Sequence, residues 1–156
     1  MVMKLLNYCS PELCFASLNA ANRGECLEVL VDRLAELGRI NDPQALLEAI
    51  LAREEMESTG IGGGMALPHV RSDQIAGSVV MIAHLAEPIA FGSVDGEPVD
   101  LVFLLVGSRE LPGQQLRVLA RISKLLRIDS FLQALRAAET PASIIAALRE
   151  VEAKHF

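Results

Sequence analysis

The segment from Ser58 to His69 constrains local structure more than any other part of this chain. It reads STGIGGGMALPH, so that four glycines fall within five positions and a proline directly precedes the histidine. Glycine loses more backbone entropy on folding than any other residue, and such a run does not form a stable helix. The sequence therefore predicts a shaped loop whose backbone N–H groups are able to surround an anion.

His69 is the candidate functional side chain of this loop. An imidazole beside an anion-binding loop is the setting of a nucleophile, and a phosphoryl group is the anion that histidine most usefully attacks. The alternative is a histidine held in a proline turn for structural reasons alone. Several nearby groups that donate hydrogen bonds to phosphoryl oxygens favour the nucleophile: Arg53, Ser58, Thr59, and the amides of Gly60, Gly62, Gly63 and Gly64.

Length and composition indicate one globular domain over residues 1–156 and disfavour several functions. Hydrophobic residues make up 51% and charged residues 22% of the chain. A net charge of −6, with five Phe, one Tyr and no Trp, disfavours nucleic-acid binding. The three cysteines lack the paired spacing of a zinc site, so we expect reduced thiols, no metal and a cytoplasmic protein. No apolar segment is long enough to span a bilayer, and the protein is expected not to be membrane-embedded.

Capping residues and apolar periodicity predict helices on both sides of a block of strands. Asn22 begins a first helix that ends near Gly38, and Asp42-Pro43 begins a second that runs to about Met56. A third helix has Leu116, Leu119, Ile122, Leu125 and Leu126 as its apolar stripe and Arg117, Arg121 and Lys124 on its solvent side, and two shorter helices follow Asp129 and Thr140. Strands are predicted near Leu13 to Phe15 and at Met65 to Leu67, Val79 to Leu85 and Val99 to Val106.

This order of elements predicts an α/β fold in which a small mixed sheet is covered by helices on both faces. The Asp95-Gly96 turn ahead of the last strand favours at least one antiparallel pair over a purely parallel sheet. The glycine loop matches neither a Walker A motif, since no GK[ST] follows it, nor a dinucleotide-binding fingerprint. Nucleotide binding is therefore disfavoured, and no cofactor is expected.

The segment REEMESTGIGGGMALPH, from Arg53 to His69, resembles the active-site segment of the enzyme IIA domains of the bacterial phosphoenolpyruvate-dependent phosphotransferase system. The branch in question is the fructose/mannitol and nitrogen-regulatory one. EPIAFGSVDGEPVDLVFLLV, QLRVLARISKLL and FLQALRAAETPASII resemble later segments of the same family, so that nearly the whole chain is covered. A free-standing domain of this length is most similar to the nitrogen-regulatory type.

The resemblance implies a three-layer α/β/α sandwich and a phosphocarrier or regulatory role. His69 would be the phosphorylated histidine and Arg53 the arginine that steadies the phosphoryl group. The implied donor is an HPr-like phosphohistidine protein, and the recipient is a regulatory target protein or an enzyme IIB. The chain would then be a component of the phosphotransferase system, with a phosphohistidine intermediate, rather than a free-standing enzyme.

Gln115 departs from the family pattern, which usually has a second active-site histidine at this position before a leucine. Glutamine can donate a hydrogen bond to a phosphoryl oxygen, but it carries no charge and exchanges no proton near neutral pH. His84, within a predicted strand, is expected to be structural, with partial replacement of the missing histidine as the alternative. Sugar-specific transfer to an enzyme IIB, and a degenerate module that binds partners without accepting phosphate, stay open as alternatives.

Overall fold

The computed structural model describes residues 3–156, which form a six-stranded mixed sheet and five α-helices. The strands are β1 (Cys14–Leu18), β2 (Gly60–Gly62), β3 (Met65–Ala66), β4 (His69–Ser72), β5 (Ser78–Ile89) and β6 (Val99–Ser108). The helices are α1 (Arg23–Glu36), α2 (Pro43–Met56), α3 (Pro112–Leu125), α4 (Asp129–Ala137) and α5 (Pro141–His155). Two short 3-10 helices, Leu5–Tyr8 and Pro11–Leu13, precede β1.

Strand β6 is the centre of the sheet. It pairs antiparallel with β5 and parallel with both β3 and β4, while β1 lies parallel to β5 and β2 antiparallel to β3. Every residue from Leu101 to Val106 is fully buried, so that both faces of β6 are covered. A continuous apolar run such as LVFLLV is typical of a strand between two layers. The predicted three-layer α/β/α sandwich with a mixed sheet is confirmed.

The predicted helix starts are confirmed by their caps. The Asn22 side chain accepts a hydrogen bond from the Glu25 amide, the Asp42 side chain from Ala45, and the Thr140 side chain from Ser143. Each side chain satisfies an amide that would otherwise lack a partner in the first helical turn. Helix α2 ends at Met56, which places Arg53 on its last turn, as predicted.

The predicted orientation of α3 is wrong in part. Leu116, assigned to the apolar stripe, is 69% exposed, and the buried stripe consists of Gln115, Val118, Ile122 and Leu125. Arg121, assigned to the solvent side, is instead largely buried and donates to a carboxylate oxygen of Glu152 at 2.7 Å. The apolar pattern alone misplaces the stripe because one of the inward positions is polar.

Two smaller predictions also need correction. Helix α5 has 15 residues and is not one of two shorter closing helices. Asp95-Gly96 is a turn, with Gly96 at φ 72°, but the connection between β5 and β6 runs over residues 90–98 and is not a two-residue hairpin. The antiparallel pairing that this turn predicts is confirmed. Among residues 3–156, no helix is both long enough and apolar enough to cross a membrane.

Glu152 ties the start of the chain to α5. Its side chain is fully buried and accepts hydrogen bonds from the amides of Leu5 at 2.8 Å and Leu6 at 3.1 Å, in addition to the bond from Arg121. A buried carboxylate is tolerated when it is paired and hydrogen-bonded in this way. The pair therefore fixes the amino-terminal 3-10 helix against α3 and α5.

We expect Glu152→Gln to lower the free energy of unfolding by about 2–4 kcal/mol, because it leaves Arg121 buried without a counter-charge. Urea denaturation measures the change. Glu150→Gln is the matched control, since its ion pair with Lys154 is exposed and a change within about 0.5 kcal/mol is expected. Equal effects of the two substitutions would contradict the structural role of the buried pair.

Candidate functional site

His69 begins β4 and lies beside the centre of the sheet. The parallel register places His69 next to Leu105 of β6, and the carbonyl of Pro68 accepts a hydrogen bond from the Leu105 amide at 3.0 Å. Proline restricts its own φ and favours an extended conformation in the residue before it. The Pro68-His69 pair therefore places the imidazole at the start of β4, where the backbone is paired with β6.

The His69 ring is held by a backbone carbonyl two residues earlier in the chain. Its Nδ1 lies 2.7 Å from the carbonyl oxygen of Leu67. A carbonyl oxygen only accepts hydrogen bonds, so this contact assigns the proton of the neutral ring to Nδ1. Nε2 then carries the lone pair, and the ring is half-buried. The geometry leaves one defined nitrogen available for nucleophilic attack.

A buried carboxylate, Glu54, organises the segment that leads to His69. Glu54 is 3% exposed and accepts hydrogen bonds from both the amide and the hydroxyl group of Thr59, the former at 3.0 Å. The guanidinium of Arg23 lies 3.6 Å from the same carboxylate. Three groups thus compensate the charge of Glu54 in the interior, as a buried carboxylate requires.

The Glu54 contacts continue to the histidine through the backbone. Thr59 offers its carbonyl oxygen to the amide of Leu67 at 3.0 Å, and the carbonyl of Leu67 in turn holds Nδ1 of His69. The sequence prediction missed Glu54. Its only signal is an acidic residue in the last turn of a helix, next to Arg53 and five positions before Thr59, and this pattern does not distinguish a buried acid from a solvated one.

Arg53 and Ser58, two of the predicted phosphoryl-binding residues, make hydrogen bonds with the protein. Arg53 donates to the carbonyl of Glu57 at 3.1 Å, across the end of α2. The Ser58 hydroxyl donates to the carbonyl of Phe91 and accepts from the amide of Gly60 at 3.0 Å. With Thr59 bonded to Glu54, both hydroxyl groups already have acceptors, so a phosphoryl group would have to replace these contacts.

The glycine turn does not form a cradle beside His69. Gly62, Gly63 and Gly64 adopt φ of 95°, 64° and 79°, the left-handed conformation for which glycine is suited. They precede Met65, which pairs with Leu101, whereas His69 pairs with Leu105, four positions or about 13 Å along β6. The register does not support the predicted role of these three amides in holding a phosphoryl group on His69, and that role stays a prediction.

The protein's own carboxylate occupies this turn. The amide of Gly63 donates to Asp95 Oδ2 at 3.0 Å, and a second carboxylate, Asp100, accepts two bonds of 2.8 Å from Arg136. Arg136 also donates to the carbonyl of Gly63 at 3.1 Å. The glycine turn is therefore a structural connection that is fixed by an acid and an arginine from other elements.

His84 is part of the same cluster and not of the His69 site. Its Nε2 lies 3.5 Å from Asp100, and its position in β5 pairs with Leu101. The structural reading of His84 fits this placement, and partial replacement of the missing second histidine does not. Gln115 is on the other side of His69 along β6, because its side chain lies over Gly107, which pairs with Arg71 of β4.

No cluster of three or more His, Cys, Asp or Glu side chains that could hold a metal ion occurs within the described part of the chain. The chemistry that the arrangement offers is that of a neutral imidazole with one free ring nitrogen and of nearby hydrogen-bond donors. Such a site suits a nucleophile that forms a covalent intermediate.

Comparison with known proteins places the chain in a family. A family model described as "Phosphoenolpyruvate-dependent sugar phosphotransferase system, EIIA 2" matches residues 7–151. A nitrogen regulatory protein from Bradyrhizobium diazoefficiens is 34% identical over 146 residues, which cover 94% of this chain and 95% of that protein. The chain therefore belongs to the enzyme IIA type 2 family of the phosphotransferase system, and the predicted membership is confirmed.

Solved structures agree on the fold. The nitrogen regulatory protein IIA-Ntr from Neisseria meningitidis superposes with a TM-score of 0.85 at 24% identity, covering 92% of this chain and 98% of that one. Enzyme IIAMTL from Escherichia coli, in its complex with phosphorylated enzyme IIBMTL, superposes with a TM-score of 0.75 at 19% identity, over 90% and 96% of the two chains. The fold is therefore shared with a nitrogen regulatory protein and with a mannitol enzyme IIA.

Glu54→Gln is expected to lower the free energy of unfolding by about 1–3 kcal/mol and to release the fixed tautomer of His69, because the bonds to Thr59 weaken. Urea denaturation and the ¹⁵N shifts of the His69 ring measure the two effects. Glu55→Gln is the control, since Glu55 is exposed on the same helical turn. A variant with unchanged ring shifts would show that Glu54 does not act on His69.

The pKa of Asp95 is lowered from its ordinary value, chiefly by the hydrogen bond from the Gly63 amide and then by that from Glu97. A lowered pKa means that the contact contributes stability above the ordinary aspartate range and loses it as the pH falls through the folded-state pKa. We expect the Gly63 amide resonance to titrate with a midpoint below the ordinary pKa of an aspartate side chain. Asp95→Asn should abolish the transition, and a midpoint in the ordinary range in the unsubstituted protein would contradict the assignment.

Proposed function

We propose that this protein accepts a phosphoryl group on Nε2 of His69 from the phosphohistidine of an HPr-like donor and uses it to control partner proteins. The observation that carries the proposal is the 2.7 Å contact between Nδ1 and the Leu67 carbonyl, which leaves Nε2 as the nucleophilic nitrogen. Membership of the enzyme IIA family supports the same chemistry.

In the proposed step the donor's N–P bond breaks as the bond between phosphorus and His69 Nε2 forms. Nδ1 keeps its proton throughout. His69 therefore neither takes up nor releases a proton during the transfer, and its charge changes only because it gains the phosphoryl group. The transition state of such a transfer is loose and spreads negative charge over the equatorial oxygens. Catalysis then depends on positioning the ring and on donors that stabilise this charge.

Arg53 is the proposed donor from α2. Its guanidinium is half-buried at the end of the helix and now bonds only the Glu57 carbonyl among the described residues, so that it is able to exchange this bond for a charged phosphoryl oxygen. Ser58 and Thr59 are proposed to contribute on the same side, since Thr59 pairs with Leu67 next to the histidine. Gln115 is proposed as a neutral donor at the position of the expected second histidine.

Regulation is the proposed output, because relatives named nitrogen regulatory protein match nearly the whole chain. Phosphorylation would add about two negative charges next to His69 and so change which partner surfaces bind there.

The second candidate, transfer to an enzyme IIB, is favoured by the likeness to enzyme IIAMTL, whose solved complex contains phosphorylated enzyme IIBMTL. Sugar-dependent loss of the phosphoryl group in the presence of a IIB protein would favour this second candidate. A module that binds partners without accepting phosphate is the third, and rests on Gln115 alone.

Incubation with phosphoenolpyruvate, enzyme I and the carrier should add one acid-labile phosphate to the protein, as measured by intact mass. His69→Ala should accept none, because it lacks the nucleophilic nitrogen. His155→Gln is the control, since His155 is exposed at the end of α5 and should leave labelling unchanged. Labelling of His69→Ala at the normal rate would refute the assignment, and no labelling of the unsubstituted protein would favour the binding-only module.

A further inference from the structure

A cavity of about 300 Å³ lies between β4 and α3, one pleat along the sheet from His69. Its lining consists of Arg71, Pro112, Gln115, Leu116 and Leu119. None of these side chains is acidic, so the only charged group in the lining is the guanidinium of Arg71. A cavity with one cation and no counter-ion favours an anion of small size.

Gln115 is buried without using its hydrogen-bonding capacity fully. It is 7% exposed, and its Oε1 has no hydrogen-bond partner in the described chain. Oε1 is directed at Gly107, where a Cβ would lie only 2.0 Å from it, so that glycine is required for this close approach. Gln115 lines the cavity, and its side-chain NH₂ is the donor that it has to offer there. Oε1 only accepts hydrogen bonds, so an anion does not satisfy it, and the group that Gln115 offers to an anion is its NH₂.

Arg71 is on the same face of β4 as His69, two residues further along the strand, with Cα atoms about 7 Å apart. Its exposed guanidinium makes no ion pair or hydrogen bond with residues 3–156. The nearest acid in sequence, Asp73, lies 3.5 Å from Arg109 instead. Arg71 is therefore a free cation beside the histidine, and the bond that it would make to an anion is charge-assisted and bidentate in geometry.

We propose that Arg71 and Gln115 form an anion subsite that binds the oxygens of the phosphoryl group carried by His69. The proposal rests on the proposed function for the identity of the anion, and it assigns the cation of the site to β4 and not to α3. Gln115 supplies a neutral donor from the helix, and Arg71 supplies the positive charge that glutamine lacks. The pair thus stabilises the phosphoryl group after it reaches Nε2 and binds free phosphate more weakly.

The charge of the Arg71–Gln115 pair depends on pH differently from that of a second histidine. A histidine loses its charge within the physiological pH range, whereas an arginine stays charged. A phosphoryl group on His69 is therefore held equally well over the pH range in which a second histidine would titrate. This property separates a functional role for Arg71 from a purely structural one.

Titration with inorganic phosphate tests the subsite without any phosphotransfer. We expect the Arg71 Nε–H and the Gln115 side-chain NH₂ resonances to shift together, and Arg71→Gln to weaken phosphate binding by about tenfold. Arg71→Lys should recover part of the affinity, because it keeps the charge but not the planar fork. Arg149→Gln is the matched control, since it removes the same charge from an exposed position on α5 and should change the affinity by less than about twofold.

Gln115→Met provides a second variant that keeps the side-chain volume. It should weaken phosphate binding several-fold, while the melting temperature stays the same or rises, because an unpartnered buried oxygen is removed. Phosphate shifts that are equal in Arg71→Gln and Arg149→Gln, or that occur only around Arg136 and the glycine turn, would overturn the proposal.

The lifetime of the phosphorylated protein separates this proposal from the function on which it rests. If both are correct, Arg71→Gln is still labelled on His69 but loses its phosphate about tenfold faster, with the same ratio at pH 6 and pH 8. Labelling with an unchanged lifetime and unchanged phosphate affinity sinks the subsite alone. Absence of labelling, together with Arg71-dependent phosphate binding, sinks the phosphocarrier function and supports the subsite as an anion site.

Discussion

The buried carboxylate of Glu54 is the constraint on which the functional segment depends. A charge in the interior needs several compensating groups, and here they are the amide and hydroxyl of Thr59 and the guanidinium of Arg23. Satisfying them fixes the end of α2 against the start of β2, and Thr59 then fixes Leu67. Through these contacts Glu54 is linked to the Leu67 carbonyl that holds Nδ1 of His69.

Two regions of different charge lie along β6, one on each side of the position of His69. The glycine turn is filled by the protein's own acids and bases, with Asp95 on an amide and Arg136 on a carbonyl of Gly63. The region between β4 and α3 has the opposite character, because Arg71 and Gln115 face a cavity with no acid. Carboxylates thus occupy the glycine turn, whereas the lining of the cavity contains none.

Most of the fold is predictable from local patterns, and much of the site is not. Asn22, Asp42 and Thr140 identify helix starts because a cap is a short-range interaction that is written in a few adjacent residues. Glu54 and Arg121 read as surface charges in the sequence, since burial of a charge depends on partners that are distant in the chain. The glycine run identifies a turn correctly, but only the strand register shows that Met65, which follows the turn, and His69 pair with β6 at positions about 13 Å apart.

If His69 is phosphorylated as proposed, the pairing of β4 with the fully buried strand β6 also determines what a partner protein is able to detect. The backbone of His69 is bonded to an interior strand, so that adding a phosphoryl group has little freedom to displace it. The two forms of the protein would then differ in surface potential and hardly in shape. Partners that discriminate between them would do so through complementary charge, and their selectivity would decline as added salt screens that charge.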